Sequence, residues 1–387
     1  MPEMGKSGRF AVDEGRLDVL SRAVEADIAR QAYDGMAIGI LHEGRVVMQR
    51  HFGFAEREAD RSLGEGDVFS VMSFTKVMTA LAIFRALERG DLSLGTRIAE
   101  VIPEFAAAGK QRVTVAQLLS HTGGMPFTLP GLTEEIEGDL RRTVELACRI
   151  APVNRPGEVV SYSAQVSYDV LGVVAERVDP AGRRFGRIIE EDIFAPLGMT
   201  DSAIGMPERL RRRRVPVVAR NPTEMNLRLA ARDRRITAET ELPGGGGFST
   251  LADMLRFAAM LASGGALEGA SIVSPASLAL ATANHTGELP NNTLAAQREM
   301  RGWEPFPAWL GLGFFLRGTG LFPTPFGHLA SPRTFGSIGA GSMVMWVDPE
   351  RSLSAVLLSS GLMDQVDSHL RFQRLSDIIH SALRLAP

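Results

Sequence analysis

Val71-Met-Ser-Phe-Thr-Lys-Val-Met-Thr-Ala-Leu-Ala-Ile-Phe-Arg-Ala-Leu87 is the stretch on which the fold of this 387-residue chain turns. From Val77 the apolar positions fall at Val77, Ala80, Leu81, Phe84 and Leu87, the spacing of an amphipathic helix. Ser73 and Lys76 stand at its head, three residues apart, which places a hydroxyl and an amine on one helical face. A serine oxygen becomes a useful nucleophile only when its proton has somewhere to go, and a desolvated lysine can accept it. The helix N-terminus adds free backbone N–H groups and a positive dipole. Ser-x-x-Lys is common by chance, so its weight depends on the rest of the chain.

The chain is long enough to bury a substantial core and to exceed one typical domain. It is 45% hydrophobic and 22% charged, with a net charge of −3, which argues against nucleic acid or an acidic polymer as partner. Cys148, the one cysteine, lies in the helical run Val144–Ile150 and is expected as a buried thiol, with no disulfide framework. The first ten residues lack the apolar core of a secretory leader, and no run matches a membrane span. These features predict a soluble, cytoplasmic protein without membrane or nucleic-acid contacts.

Working outward, residues 13–32 have helical periodicity through Leu17, Leu20, Ala23, Val24, Ile28 and Ala32. Met36–Leu41 and Val46–Phe52, separated by Glu43-Gly44, predict a β-hairpin. From Ile98 to Pro290 the pattern is mostly helical, broken by Gly and Pro. Strand-like runs return at Ser342–Val347 and Leu353–Ser359, before a final amphipathic helix through Val366, Leu370, Leu375 and Ile379. Strands at both ends with helices between them predict an α/β sheet built from the two termini, with an all-helical insertion. The expected division is a sheet domain of residues 1–97 and 291–387, a helical domain of 98–290, and an active site in the cleft between them.

Seven segments recur in a recognisable order: Ser73-Phe-Thr-Lys76, Leu118-Leu-Ser-His-Thr-Gly-Gly-Met-Pro126, Pro156-Gly-Glu-Val-Val-Ser-Tyr-Ser163, Leu171-Gly172, Pro196-Leu-Gly-Met199, Gly246-Gly-Phe-Ser-Thr250, and Gly339-Ala-Gly-Ser342 leading to Val347-Asp-Pro-Glu350. With them the chain resembles the serine β-lactamase and penicillin-binding-protein superfamily over nearly its whole length. The likeness is to the class C-like branch, which includes carboxylesterases, D-amino-acid peptidases and the acyltransferase of the lovastatin pathway. The resemblance implies an antiparallel sheet flanked by helices and no metal or cofactor. It further implies that Ser73 is an acylated nucleophile, that Lys76 assists its deprotonation, and that Tyr162 is the third catalytic group. An ammonium at Lys76 would lower the Tyr162 pKa from its ordinary value near 10. The oxyanion hole would combine the N–H groups of Ser73 and Ala340.

Two departures stand out. Ala164 replaces an asparagine that holds the substrate amide in β-lactamases, and Ser337-Ile338-Gly339 replaces Lys-Thr-Gly. Both disfavour a β-lactamase or D-peptidase and favour a serine carboxylesterase, with an acyltransferase using a non-water acceptor as the alternative. The joint presence of Ser73, Lys76 and Tyr162 argues against a purely ligand-binding member. Ser337, Ile338, Gly339 and Ala164 are thus candidate substrate contacts. Trp303 and Phe315, in the apolar stretches around them, could line an acyl pocket or belong to the core. His285-Thr-Gly287 follows a helix and precedes no strand, so it is expected in a loop. His121 has no identifiable acidic partner and is expected to be structural.

Between Arg209 and Arg235 there are ten arginines against only Glu224 and Asp233. That run is either a solvated surface or a docking patch for an anionic acyl carrier or coenzyme A, alongside a small ester or acyl-thioester substrate.

Overall fold

The computed structural model describes residues 10–292 and 295–385. The N-terminal stretch read as lacking a leader lies, but for Phe10, outside the described residues. β1 (Phe10–Val12) leads into α1 (Glu14–Ala29), whose first turn is capped by the Asp13 carboxylate, accepting the Arg16 N–H at 3.2 Å. β2 (Gly35–His42) and β3 (Arg45–Glu56) form the expected hairpin. Its turn residues Glu43 and Gly44 have φ of 50° and 75°, the left-handed pair that matches strand twist. β4 (Arg61–Ser62) and β5 (Phe69–Met72) precede α2 (Thr75–Arg89), which Gly90 ends at φ 83°.

The middle of the chain supplies α3 (Leu140–Arg149), α4 (Val166–Val178), β6 (Ala203–Ile204) and α5 (Glu224–Arg235). β7 (Gly247–Ser249) and α6 (Leu251–Ala262) follow. The last part adds β8 (Phe315–Leu316), β9 (Phe335–Gly339), β10 (Met343–Asp348), β11 (Leu353–Ser360), α7 (Gln365–Ser381) and β12 (Leu383–Leu385), which pairs back with β1.

The main sheet is antiparallel, in the order β8-β9-β10-β11-β2-β3-β4. N-terminal and C-terminal strands meet at β2 and β11, where Ile38 faces Leu357. Alternation along the strands gives the sheet two apolar faces. Ile38, Ile40, Trp346 and Leu357 pack with α1 and α7, while Ala37, Leu41, Met345 and Val356 join the core around α2 and α6. The sheet is therefore covered on both sides, as expected. α6 was expected with the helical insertion but lies on the sheet. Leu255 occupies the space where a side chain at Gly39 would stand, so any larger residue there would have to displace it.

α2 also departs from the one-sided stripe. Met78, Thr79, Ala82 and Ile83 are buried together with Val77, Leu81 and Phe84, because the helix packs against α4 and the helical segments Phe185–Ile189 and Glu190–Phe194. Each large apolar side chain so buried contributes on the order of 1.5–3 kcal/mol. No helix among the described residues is long and apolar enough to cross a membrane.

Candidate active site

β5 stops at Met72, whose φ of 48° is left-handed and costly for a residue with a side chain. The chain turns there, presents Ser73 at the corner, and enters α2 two residues later. Thr75 fixes the corner: its hydroxyl donates to the Met72 carbonyl at 2.7 Å and accepts the Gly247 N–H at 2.9 Å. Phe74 is buried edge-on against Phe257, with ring centres 5.5 Å apart. The nucleophile candidate is thus held by a strand, a helix and the adjoining glycine tract.

Lys76 is the second residue of α2 and is buried. Its Nζ is 3.0 Å from Ser73 Oγ, and it donates to the carbonyls of Ala164 at 2.7 Å and Gly244 at 2.6 Å. Burial pushes its pKa down to about 7, against an opposing pull from the Asp169 carboxylate. A neutral amine has two hydrogens and one lone pair. With both hydrogens taken by the carbonyls, the lone pair faces Ser73 Oγ, the orientation that accepts a proton. Asp169 stands behind this arrangement, accepting the Gly244 N–H at 3.3 Å, and burial raises its carboxyl to about 7.

Tyr162 approaches Ser73 from the segment before α4, close enough for the Ser73 side chain to pull its pKa down. The expected acidification of this phenol does not occur. Burial pushes Tyr162 up to about 12, and only the Ser73 side chain opposes it. The same desolvation brings Lys76 down to about 7, which weakens the ammonium that would have stabilised a phenolate. His121 brackets the tyrosine: its carbonyl accepts the Ser161 N–H at 2.9 Å, its Nδ1 accepts the Ser163 N–H at 3.2 Å, and its ring lies 4.4 Å from that of Tyr162. Burial, with Lys76 nearby, holds this imidazole well below its usual range, so it remains neutral.

Ala340 follows β9 directly. Gly339 makes this possible, since a Cβ there would meet the Val71 carbonyl at 2.7 Å. The N–H groups of Ser73 and Ala340 donate to no other described residue. Both residues line one open cavity.

That cavity brings Ser73, Tyr162, Ala164, Phe315, Ile338 and Ala340 together. Ser337, Gly339 and Trp303 are not among its lining. Ile338 and Ala340 face it, while strand alternation turns Ser337 and Gly339 the other way, with Ser337 buried. Trp303 follows the helix at Ala295–Arg301 away from the cavity. Residues not anticipated from sequence complete the wall, notably Phe127, Gln165, Glu137 and one face of α5. Met225, Arg228, Leu229 and Arg232 on α5 recur at spacings of three and four, a pattern that was present in the sequence but hidden within the arginine run.

The run itself does not gather into one free patch. Arg211 pairs with Glu208, Arg213 with Asp201, Arg214 with Asp233, Arg220 with Asp34 and Glu58, and Arg235 with Glu134 and Glu137. Arg209 donates to the carbonyls of Thr200 and Ser202, and the partly buried Arg232 lies 4.0 Å from Glu137. His285 lies in a loop, its Nε2 at 2.8 Å from the Leu280 carbonyl, and Cys148 is a buried free thiol.

The family model described as Beta-lactamase matches residues 20–377. A penicillin-binding protein homologue from Caulobacter crescentus superposes with a TM-score of 0.79 at 26% identity, covering 96% of this chain and 99% of that one. A family VIII carboxylesterase superposes with a TM-score of 0.75 at 23% identity, over 95% of this chain and 99% of the other. Esterase EstB of Burkholderia gladioli is 30% identical over 225 residues, which is 52% of this chain and 55% of the esterase.

Proposed function

The chain belongs to the beta-lactamase family, and family and neighbours together point to a serine hydrolase; from that premise we propose that it cleaves carboxylic esters through an acyl-Ser73 intermediate. The observation that carries the reading is the Lys76 amine, 3.0 Å from Ser73 Oγ with its hydrogens directed at Ala164 and Gly244.

In the proposed reaction Ser73 Oγ bonds to the ester carbonyl carbon while its proton passes to Lys76 Nζ. The carbonyl electron pair moves onto oxygen, toward the free N–H groups of Ser73 and Ala340. Collapse breaks the bond to the alcohol, and the leaving oxygen takes up the proton held by Lys76. The neutral Tyr162 hydroxyl beside it donates the hydrogen bond that stabilises this departing oxygen. Water then repeats the sequence on the acyl-enzyme and releases the acid.

Ala164 and Ile338 at the cavity, with Ser337 turned away, support esters over β-lactams, since neither an amide-binding side chain nor a carboxylate-pairing cation stands at those positions. The esterase from Burkholderia gladioli supports the same substrate class. The test is a series of p-nitrophenyl esters of graded chain length, with mass spectrometry of the trapped acyl-serine peptide. Turnover with acyl label on Ser73 is expected. Turnover that survives in Ser73→Ala would overturn the proposal. Adding alcohols to the same assay reads whether an acceptor other than water is used.

A further inference from the structure

We infer that the Ser73 cavity is built for an ester bearing an anionic group, a monoester of a dicarboxylic acid, with Arg228 on α5 as the residue that pairs with the free carboxylate. This rests on the ester-hydrolase reading and specifies its substrate class.

The inference starts from the charges that reach the cavity. Three charged side chains line it: Glu137, Arg228 and Arg232. Glu137 is committed, at 2.9 Å from Arg235 and 4.0 Å from Arg232. Arg228 has no ion pair and no hydrogen bond among the described residues. It is exposed on the same wall as Met225 and Leu229. The wall therefore carries one cation that no described residue neutralises.

A second observation is independent of α5. Gln165 also lines the cavity, and its Nε2 is buried with no hydrogen-bond partner among the described residues. A buried amide donor left unpaired is costly, and an acceptor on a bound substrate removes that cost. Donors without acceptors thus stand on two sides of the cavity, one cationic and one neutral, in addition to the N–H pair at Ser73 and Ala340. A bound group rich in oxygen acceptors and negative in charge matches all of them.

Position supports the assignment. The Arg232 guanidinium sits against Met72, with Nη2 3.8 Å from its sulfur, so it marks the level of the nucleophile on α5. Arg228 is one helical turn away, its Cβ roughly 5–6 Å from that of Arg232. A carboxylate separated from the scissile carbonyl by a short methylene chain spans that interval. Met225 and Leu229 flank the path with apolar surface for the chain itself.

The experiment compares the p-nitrophenyl monoester of adipic acid with p-nitrophenyl hexanoate, a neutral ester of equal chain length. The ratio of their kcat/KM values should favour the anionic ester in wild type. It should fall about tenfold or more in Arg228→Gln, the weight of one charge-assisted hydrogen bond, with the change in KM. Arg228→Glu should drive the ratio lower still. Equal ratios in wild type and both variants would overturn the inference. A binding arm separates this from the hydrolase reading: monomethyl adipate is titrated calorimetrically into Ser73→Ala and into Ser73→Ala combined with Arg228→Gln. About tenfold weaker binding in the double variant supports the subsite even if wild type turned over neither ester, which would defeat only the hydrolase reading. Equal affinity would defeat the subsite.

Discussion

The Nζ of Lys76 donates to the carbonyl of Gly244 at 2.6 Å, across 168 residues of chain, and the N–H of Gly244 returns to Asp169 at 3.3 Å. This pairing orients the amine. With Ala164 taking the other hydrogen, Ser73 Oγ is left opposite the lone pair. The consequences can be measured one by one.

Ser73→Ala should abolish turnover of activated esters while the melting temperature stays close to wild type, because the change removes little volume. Lys76→Ala should lower kcat by about two orders of magnitude or more, the usual weight of acid–base assistance. A Lys76→Ala enzyme with wild-type kcat would remove the amine from the mechanism.

The pH profile follows from the sign of the Lys76 shift. The amine must be neutral to accept the Ser73 proton, so activity is lost as pH falls through its pKa of about 7. Below that limb kcat/KM should drop about tenfold per pH unit. Tyr162, at about 12, stays protonated throughout and adds no descending limb near neutrality. The Asp169 carboxylate raises the Lys76 pKa, so Asp169→Asn should move the acid limb to lower pH while keeping an acceptor for Gly244. A limb that stays in place, or moves up, would show that Asp169 does not act on Lys76.

His121 acts on Tyr162 as a positioning residue. In His121→Leu the buried Ser163 N–H loses its acceptor at 3.2 Å, a cost of about 1–3 kcal/mol that calorimetric unfolding would register. kcat should fall with it, because the segment carrying Tyr162 is released on one side. Asparagine tolerates the left-handed conformation that His121 adopts at φ 57° and offers an acceptor, so His121→Asn should recover part of both losses. Wild-type kcat and stability in the leucine variant would count against this role.

The departures at Ala164 and Ser337-Ile338 should make penicillins and cephalosporins poor substrates. A missing charged contact and a missing neutral one together amount to about 2.5–4 kcal/mol, roughly two to three orders of magnitude in kcat/KM. Nitrocefin and the best simple ester, assayed side by side, give the comparison. A nitrocefin kcat/KM equal to that of the ester would reverse the assignment.

Sequence alone determined the elements whose signals are local. The hairpin through Glu43-Gly44, the returning strands after Gly339 and the juxtaposition of Ser73 with Lys76 all follow from periodicity, turn chemistry or a spacing of three. The order of the seven segments carried the family. Tertiary structure alone decided the electrostatics and the walls. The carbonyls that orient Lys76 come from positions 88 and 168 residues away, and no local pattern encodes such a pairing. The Tyr162 phenol goes up rather than down because proton affinity depends on how much water packing removes, a property of the assembled core and not of neighbouring residue types. The arginine run looked like one surface in sequence. Folding paired six of its ten members with acids, those of Arg220, Arg232 and Arg235 brought in from distant segments, and left Arg228 at the cavity with no partner among the described residues.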